Sequence, residues 1–391
     1  MSSAESVCLE DHVSPDHSCA SEIAAIRDSL AALGDPWQCG ETPVSRLAGD
    51  GRKRRLGVPA PSSEEIDARA DLPARMAEAA LAPPHTHEET EHAPTPHLPR
   101  SFDLRDVDGV NYVTPVKDQG DCGACSAFGV LATLETTAAY TRRAPRLALD
   151  LSEAHLFFGH AAAREAILPD GTWPDELLVD CRDLGVTFED HYPYTEDGSG
   201  ALAAGWRERL ARASDVVDLS RDPVAIKEHL WTYGPVTACL VVHDDLFHYT
   251  GGVYRHTTER TSGGHCVALI GWDDDAGCWI AKNSWGPDWG ENGFLRIAYG
   301  EAFIEDYPNP RPTTLGCTGV DLHAWLPPQR ALGLFASAHD DSWAYLENLG
   351  WTRLSRDQTA DLATLALARA RGLGCAPFVR GQDLGAVHLI G

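Results

Sequence analysis

Residues 119–128 read QGDCGACSAF, and the stretch that continues from them, SAFGVLATLETTAAYTRR (126–143), has the composition of one helix closed by paired arginines that suit its negative C-terminal dipole. Cys125 therefore sits at a helix N-terminus, where unpaired backbone N–H groups and the positive dipole end favour thiolate over thiol. A lone cysteine is most often an inert apolar filler, so its neighbours decide. Gln119, six residues earlier, carries a side-chain amide that, with the Cys125 N–H, can hold the oxygen of a tetrahedral intermediate.

Downstream, GGHCVALIGW (263–272) and AKNSWGPDWGENGF (281–294) place His265 in a β-rich setting and Asn283 eighteen residues later. An asparagine carbonyl accepting the imidazole N–H fixes tautomer and ring plane without adding charge, as a general base requires. Around them GPVTACLVV, GGVYRH, CWIAKNS and GFLRIAY are short β-rich runs punctuated by Gly, Asp and Asn, so the domain reads as a helical half followed by a β half.

These three motifs, in this order, resemble the papain-like cysteine peptidases and within them the cathepsin B branch; LSEAH (151–155), DHYPYTE and HDDLFHYTGGVYRH (243–256) resemble further family landmarks. The resemblance implies an α+β, papain-like two-lobed fold with a helical left lobe and an antiparallel, β-barrel-like right lobe over residues 99–325. It implies Cys125 as nucleophile, His265 as general base and acid, Asn283 as its orienter and Gln119 as oxyanion donor. Trp285 matches the indole that shields the Asn–His hydrogen bond, against the plainer reading of a core tryptophan. DGTWPD (170–175) stands where the family binds the substrate strand, so Gly171 offers backbone, with Trp173 and Pro174 near the pocket for the second residue before the scissile bond. Gly264, Cys266 and Cys239 match positions lining that pocket, which predicts a small, apolar wall favouring a mid-sized aliphatic or aromatic side chain.

The chain departs from the family in three places. Ser126 replaces the tryptophan after the nucleophile. Cys122 matches a family disulfide cysteine whose partner falls near Pro169, so that bridge is missing and Cys181 is left as a substitute partner. No long histidine-bearing insertion fits between Trp173 and Tyr192, which favours an open cleft and endopeptidase action.

The N-terminal region resembles the branch's propeptide in PWQCGETPVSRLAG and KRRLG, with LPRSFDLRD (98–106) resembling a mature start. Residues 1–98 thus read as an inhibitory propeptide lying in the cleft in reverse direction, its Pro- and His-rich 82–98 tract a soft linker. Helices are expected at 21–34 and along EEIDARADLPARMAEAAL (64–81), and a solvated turn at GRKRRLG (51–57). Cys39 replaces a small family alanine, read as packing against the cleft wall rather than as a thiol beside Cys125. His85, His87, His92 and His97 read as a solvated linker rather than a metal site, and no metal or cofactor is expected.

The formal charge is −26, made of −9 over 1–98 (17 acids, 8 bases), −17 over 99–325 (35, 18) and 0 over 326–391 (6, 6). Such a chain repels phosphate backbones and anionic lipid, which excludes nucleic acid and membrane as partners. An acidic start without an apolar run, and eleven cysteines, point to a cytoplasmic chain or one exported without a conventional signal peptide. Residues 326–391 read as a small α/β module; Trp343, Tyr345 and Trp351 are core aromatics there or the contacts of a docking partner. The expected activity is a propeptide-inhibited cysteine endopeptidase acting on peptide or protein substrate. A papain-fold acyltransferase or peptide ligase would use the same thioester chemistry, and a catalytically weak binding protein is the third reading.

Overall fold

The helix Cys125–Thr141 is buried along nearly its whole length, as its small and apolar residues dictate. The computed structural model describes residues 19–82, 98–163, 171–336, 342–354 and 359–390, and this helix lies between two sheets in it. Its one acid, Glu135, is buried and satisfied: it accepts from Thr114 Oγ1 at 2.8 Å and the Leu151 N–H at 2.9 Å. The arginines that follow do more than answer the dipole. Arg142 donates to the Val320 and Gly381 carbonyls, so it fastens the helix end to the C-terminal sheet. Helix Pro174–Asp183 completes the helical lobe, opening with Pro at its start and Asp175 and Glu176 in its first turn; Arg311 pairs with both acids.

The β lobe is one nine-stranded sheet. Its hydrogen-bonded order is Trp37–Cys39, Tyr249–Tyr254, Phe294–Ala298, Cys278–Lys282, Thr261–Asp273, Val236–His243, Thr314–Cys317 and Val216–Asp218, with Ser101–Asp103 added to Thr261–Asp273. All pairs in it are antiparallel except Tyr249–Tyr254 with Phe294–Ala298. The first strand comes from the N-terminal region. Gly252, at φ +93°, leaves the space that a Cβ would take 2.6 Å from Trp37 Cα. Trp37 itself is buried against Tyr249 and Tyr254, its Nε1 donating to the Arg255 carbonyl at 2.8 Å.

An eight-stranded sheet holds the C-terminal residues. Gln329–Ala336, Ser342–Leu346, Gly350–Leu354, Asp383–Ile390 and Gly374–Gly381 continue through Val320–Trp325 onto Leu210–Ala213 and Val186–Thr187. Val320–Trp325 is the hinge of this arrangement, pairing with Gly374–Gly381 on one side and with Leu210–Ala213 on the other. Residues 326–391 thus extend a sheet rooted in the helical lobe. Of the aromatics expected either in its core or at its surface, Trp351 is exposed and packs edge-on against Tyr345.

Three local expectations change. GRKRRLG is no solvated turn: Gly49–Arg54 is helical, and Arg54 and Arg55 pair with Asp121 and Asp118 at 3.0 and 2.7 Å. The 64–81 helix breaks in two, Ser63–Asp67 and Leu72–Leu81, because Pro73 can only begin a helix; Ser62 and Glu65 open the first with a reciprocal N-terminal cap. Cys122 and Cys181 are both free, as are all ten described cysteines, and Cys181 is buried beside Cys317 instead. Pro169 and the histidines 85–97 lie outside the described residues.

Candidate active site

His265 lies within strand Thr261–Asp273, and Asn283 directly follows the neighbouring strand Cys278–Lys282. Their side chains meet: His265 Nε2 donates to Asn283 Oδ1 at 2.7 Å. That bond puts the ring proton on Nε2 and leaves the Nδ1 lone pair bare, and Nδ1 is buried without a partner. Trp285 lies 4.5 Å from the imidazole, ring centre to ring centre, and itself packs on Phe247 and Trp289. Gln119 is aligned from behind by Ser284 Oγ, which donates to its Oε1 at 2.7 Å, so its amide Nε2 points toward the Cys125 helix start. There Nε2 donates to the Cys122 carbonyl at 2.7 Å and the Arg55 carbonyl at 3.0 Å.

Cys125 and His265 are both fully buried. Burial pushes the Cys125 thiol well up, helped by the neighbouring Cys266 sulfur and opposed by the N–H groups of Cys266 and Gly57. Burial also lowers His265 to about 4, against the pull of Asn283. Thiol and imidazole are therefore both neutral in this state.

The cover is the N-terminal region. Arg55–Val58 runs through the cleft from the turn that ends helix Gly49–Arg54 to an isolated bridge between Val58 and Gly264: the Arg55 carbonyl on Gln119, the Gly57 carbonyl accepting from Thr172 N at 2.9 Å, the Val58 N–H donating to the Gly264 carbonyl at 3.2 Å. Gly57 is the tightest point, where a Cβ would fall 1.8 Å from the Gly123 carbonyl oxygen. Gly171, at φ +116°, is its counterpart, since a Cβ there would fall 2.0 Å from the Gly57 carbonyl oxygen.

Beyond Gly57 the side chain of Val58 is buried in an apolar pocket with Cys125, Trp173, Cys239, Val241, Cys266 and Tyr307, and Phe303 packs on its edge. Cys239 and Cys266 are direct cross-strand neighbours. Tyr307 closes the pocket edge-on to Trp173, and its hydroxyl donates to the Pro59 carbonyl at 2.9 Å.

Most residues singled out in the sequence surround this cleft, with two reassignments. Gly171 supplies the close approach, while the N–H that binds the covering segment is Thr172's. Pro174 starts the helix Pro174–Asp183 and is absent from the pocket cluster, whereas Trp173 is part of it. Cys39 donates to the Ile23 carbonyl within the N-terminal unit. Ser126, read only as a lost tryptophan, is buried and donates to the Thr172 carbonyl at 2.7 Å, tying the helix start to the segment whose N–H binds Gly57. Tyr307 and Val241 went unread, because nothing local in DYPNP or CLVV marks a residue as pocket lining.

Charge across the covering contacts is complementary despite the acidity of both parts. Besides Arg54 and Arg55, Arg69 faces Asp306 at 3.5 Å, and Lys227 donates to the last-turn carbonyl of Ala80.

Comparison with known proteins agrees with this architecture. The papain family cysteine protease profile matches residues 98–308, more than half of the chain. Cathepsin B-like CP3 of Giardia intestinalis is 33% identical over 210 residues, covering 51% of this chain and 69% of the relative. Cathepsin B-like CP1 of the same organism is 30% identical over 297 residues, covering 71% and 90%. Among solved structures, procathepsin B S9 from Trypanosoma congolense superposes with a TM-score of 0.56 at 22% identity, covering 76% of this chain and 97% of that one. Digestive procathepsin L2 proteinase from the Tenebrio molitor larval midgut superposes with a TM-score of 0.57 at 21% identity, covering 77% and 90%. With its helix-borne cysteine, its Asn-aligned histidine and this span of likeness, the chain belongs to the papain family of cysteine proteases.

Proposed function

We propose that this protein is a cysteine endopeptidase made as a silent precursor, with Cys125 attacking the scissile carbonyl, His265 moving the proton, Asn283 holding the imidazole and Gln119 receiving the developing oxyanion. The observation that carries the precursor reading is the polarity of Arg55–Val58. The carbonyl on the Gln119 amide belongs to Arg55, and the side chain in the apolar pocket belongs to Val58, three positions later. A substrate fills that pocket with a residue that precedes its scissile carbonyl. The covering segment runs the other way, so it occupies the site without presenting a bond for attack. Residues 174–192, occupied by helix Pro174–Asp183, strand Val186–Thr187 and the turn Glu189–His191, form no loop that closes the far end of the cleft, which supports internal cleavage.

In this reading the ion pair forms only when the covering segment leaves and water returns to Cys125 and His265. Incubating the intact chain with a thiol reductant at pH 5 and pH 7, sequencing new N-termini and assaying a peptide library tests it. New ends near residue 98 together with peptide hydrolysis are expected; an unprocessed chain that hydrolyses peptides at full rate contradicts it.

Val58 indicates the substrate side chain. A pocket walled by two cysteines, Val241 and Trp173 and shut by Tyr307 fits a compact aliphatic group. Tyr307→Ala should move library preference at that subsite from Val-sized toward Leu- and Phe-sized residues by about tenfold in kcat/KM, on the order of 1–3 kcal/mol per methylene-scale fit. Unchanged preference, or a native preference for Arg or Glu, contradicts the assignment.

Docking of the N-terminal segment should weaken in acid. Glu22 accepts from His248 Nε2 at 2.8 Å and pairs with Arg52 at 2.9 Å. Burial opposes its ionisation, yet Arg52 and His248 together hold its carboxyl below the ordinary 4.5. A carboxyl lowered in the docked state contributes fully above its ordinary value, and that contribution is lost as pH falls through the lowered one. Residues 1–98 added in trans should inhibit the 99–391 form more weakly at pH 3.5 than at pH 6, with most of that difference absent in Glu22→Gln. Stronger inhibition below pH 4 would reverse the sign.

A further inference from the structure

His243 ends the strand Val236–His243, His256 follows the strand Tyr249–Tyr254, and Glu301 opens the short turn Glu301–Phe303. The fold brings one ligand atom of each within 4.8 Å of the others, in a cluster that the peptidase chemistry does not use. The two imidazoles lie face to face, 4.2 Å between centres and 11° from parallel. Stacked imidazoles gain little from one another, and two charged ones repel. We propose that His243, His256 and Glu301 form a binding site for a divalent transition-metal ion, zinc by the character of its ligands.

The surroundings are those of a ligand set. His243 Nδ1 donates to the Thr258 carbonyl at 2.8 Å, which fixes the tautomer and leaves the Nε2 lone pair free to coordinate. Burial keeps that ring toward its neutral, ligating form, with His256 adding to the effect. His256 Nδ1 shares a proton with Glu301 Oε1, the proton that a metal displaces on binding. Glu301 is buried and steadied by the Ala302 N–H on the same oxygen.

Asp245 supplies a second buried negative charge facing both rings, its carboxylate held by Tyr254 Oη and Thr257 Oγ1 at 2.7 Å each. Two neutral imidazoles and two carboxylates balance a divalent ion. Two histidines and one glutamate are a zinc donor set, and neutral imidazole also suits copper and nickel. His256 is half-buried, so the ion has a path from solvent and room for water as a fourth ligand.

The ion would join the ends of three chain segments at a place that matters. Glu301 begins the turn that carries Phe303 to the Val58 pocket, and the preceding Gly300 lies so close to Pro73 of the N-terminal segment that a Cβ would fall 1.8 Å from its carbonyl oxygen. Occupancy would stiffen one pocket wall and the seat of helix Leu72–Leu81.

The test uses the full chain carrying Cys125→Ala, stripped with a chelator and titrated with Co²⁺ and Zn²⁺. One equivalent per chain is expected, with visible Co²⁺ absorption of nitrogen and oxygen ligation and a rise in melting temperature with Zn²⁺. His243→Gln and His256→Gln should each weaken Zn²⁺ binding about 100-fold, Glu301→Gln should weaken it less, and His191→Gln, whose ring pairs with Asp190 elsewhere, should change nothing. Circular dichroism identifies any variant that fails to fold, and the Co²⁺ spectrum of the parent decides independently. Thiolate-to-cobalt charge transfer, binding that survives both histidine variants (including binding at His85–His97), or no binding at about 100 µM metal overturns the site.

Discussion

Gly57→Val should turn the intact chain from silent to active without cleavage. The Gly57 Cα passes the Gly123 carbonyl so closely that even a Cβ would lie 1.8 Å from its oxygen, and backbone on both sides leaves no flexible side chain to yield. The covering segment can only lift. A displacement that removes about 3–4 kcal/mol of docking raises the exposed fraction of cleft roughly 100- to 1000-fold, at about 1.4 kcal/mol per decade. The fold should survive, because Gly57 belongs to the cover and its contacts in the cleft are backbone hydrogen bonds that a substrate can replace. Peptide hydrolysis by the uncleaved variant, with the N-terminus verified by mass, measures this directly. Silence equal to the parent's would mean that the inhibition resides elsewhere, for example in Trp37 and the strand it begins.

The second large effect concerns the chemistry. Cys125→Ala should abolish hydrolysis, on the order of 10⁵-fold or more in kcat, since it removes the thiol that attacks the scissile carbonyl. His265→Ala should cost on the order of 10³- to 10⁴-fold, and Asn283→Ala only about 10- to 100-fold, because it frees the imidazole to rotate without removing it. The order Cys125, His265, Asn283 in severity, at unchanged melting temperature, is the signature of nucleophile, base and orienter. Equal loss for His265 and Asn283 would assign Asn283 a folding role, which its second hydrogen bond to the Ser284 N–H makes a real competitor.

The residues legible in the sequence were those whose chemistry is tied to a short motif. QGDCGACSAF, GGHCVALIGW and AKNSWG each carry a side chain and the local backbone that aims it, so Cys125, His265, Asn283 and Gln119 could be named before the fold was known. WQCG was legible through its likeness to a propeptide element, while its pairing as strand Trp37–Cys39 with Tyr249–Tyr254 was not.

What escaped was set by distant partners. The basic run 51–57 looked solvated because its acids, Asp118 and Asp121, lie more than sixty residues away in sequence. Tyr307 becomes pocket lining only when Gly264 and Val58 meet in front of it. The C-terminal module looked separate because its pattern is self-sufficient, and only the two-sided pairing of Val320–Trp325 joins it to Leu210–Ala213. The His243, His256 and Glu301 cluster has none of the close spacing by which metal ligands announce themselves, since two strand ends and a turn assemble it.

The central claim is that the chain's own Arg55–Val58 segment, lying backwards, keeps Cys125 from reacting. The most direct measurement is the rate at which a small thiol alkylator labels Cys125, identified by peptide mass, in the intact chain and again after cleavage within residues 83–97 and removal of the N-terminal segment. The account predicts labelling of Cys125 at least 100-fold faster after removal, with His265→Ala suppressing the gain because the thiolate needs its imidazolium partner. Equal labelling rates before and after removal would contradict it.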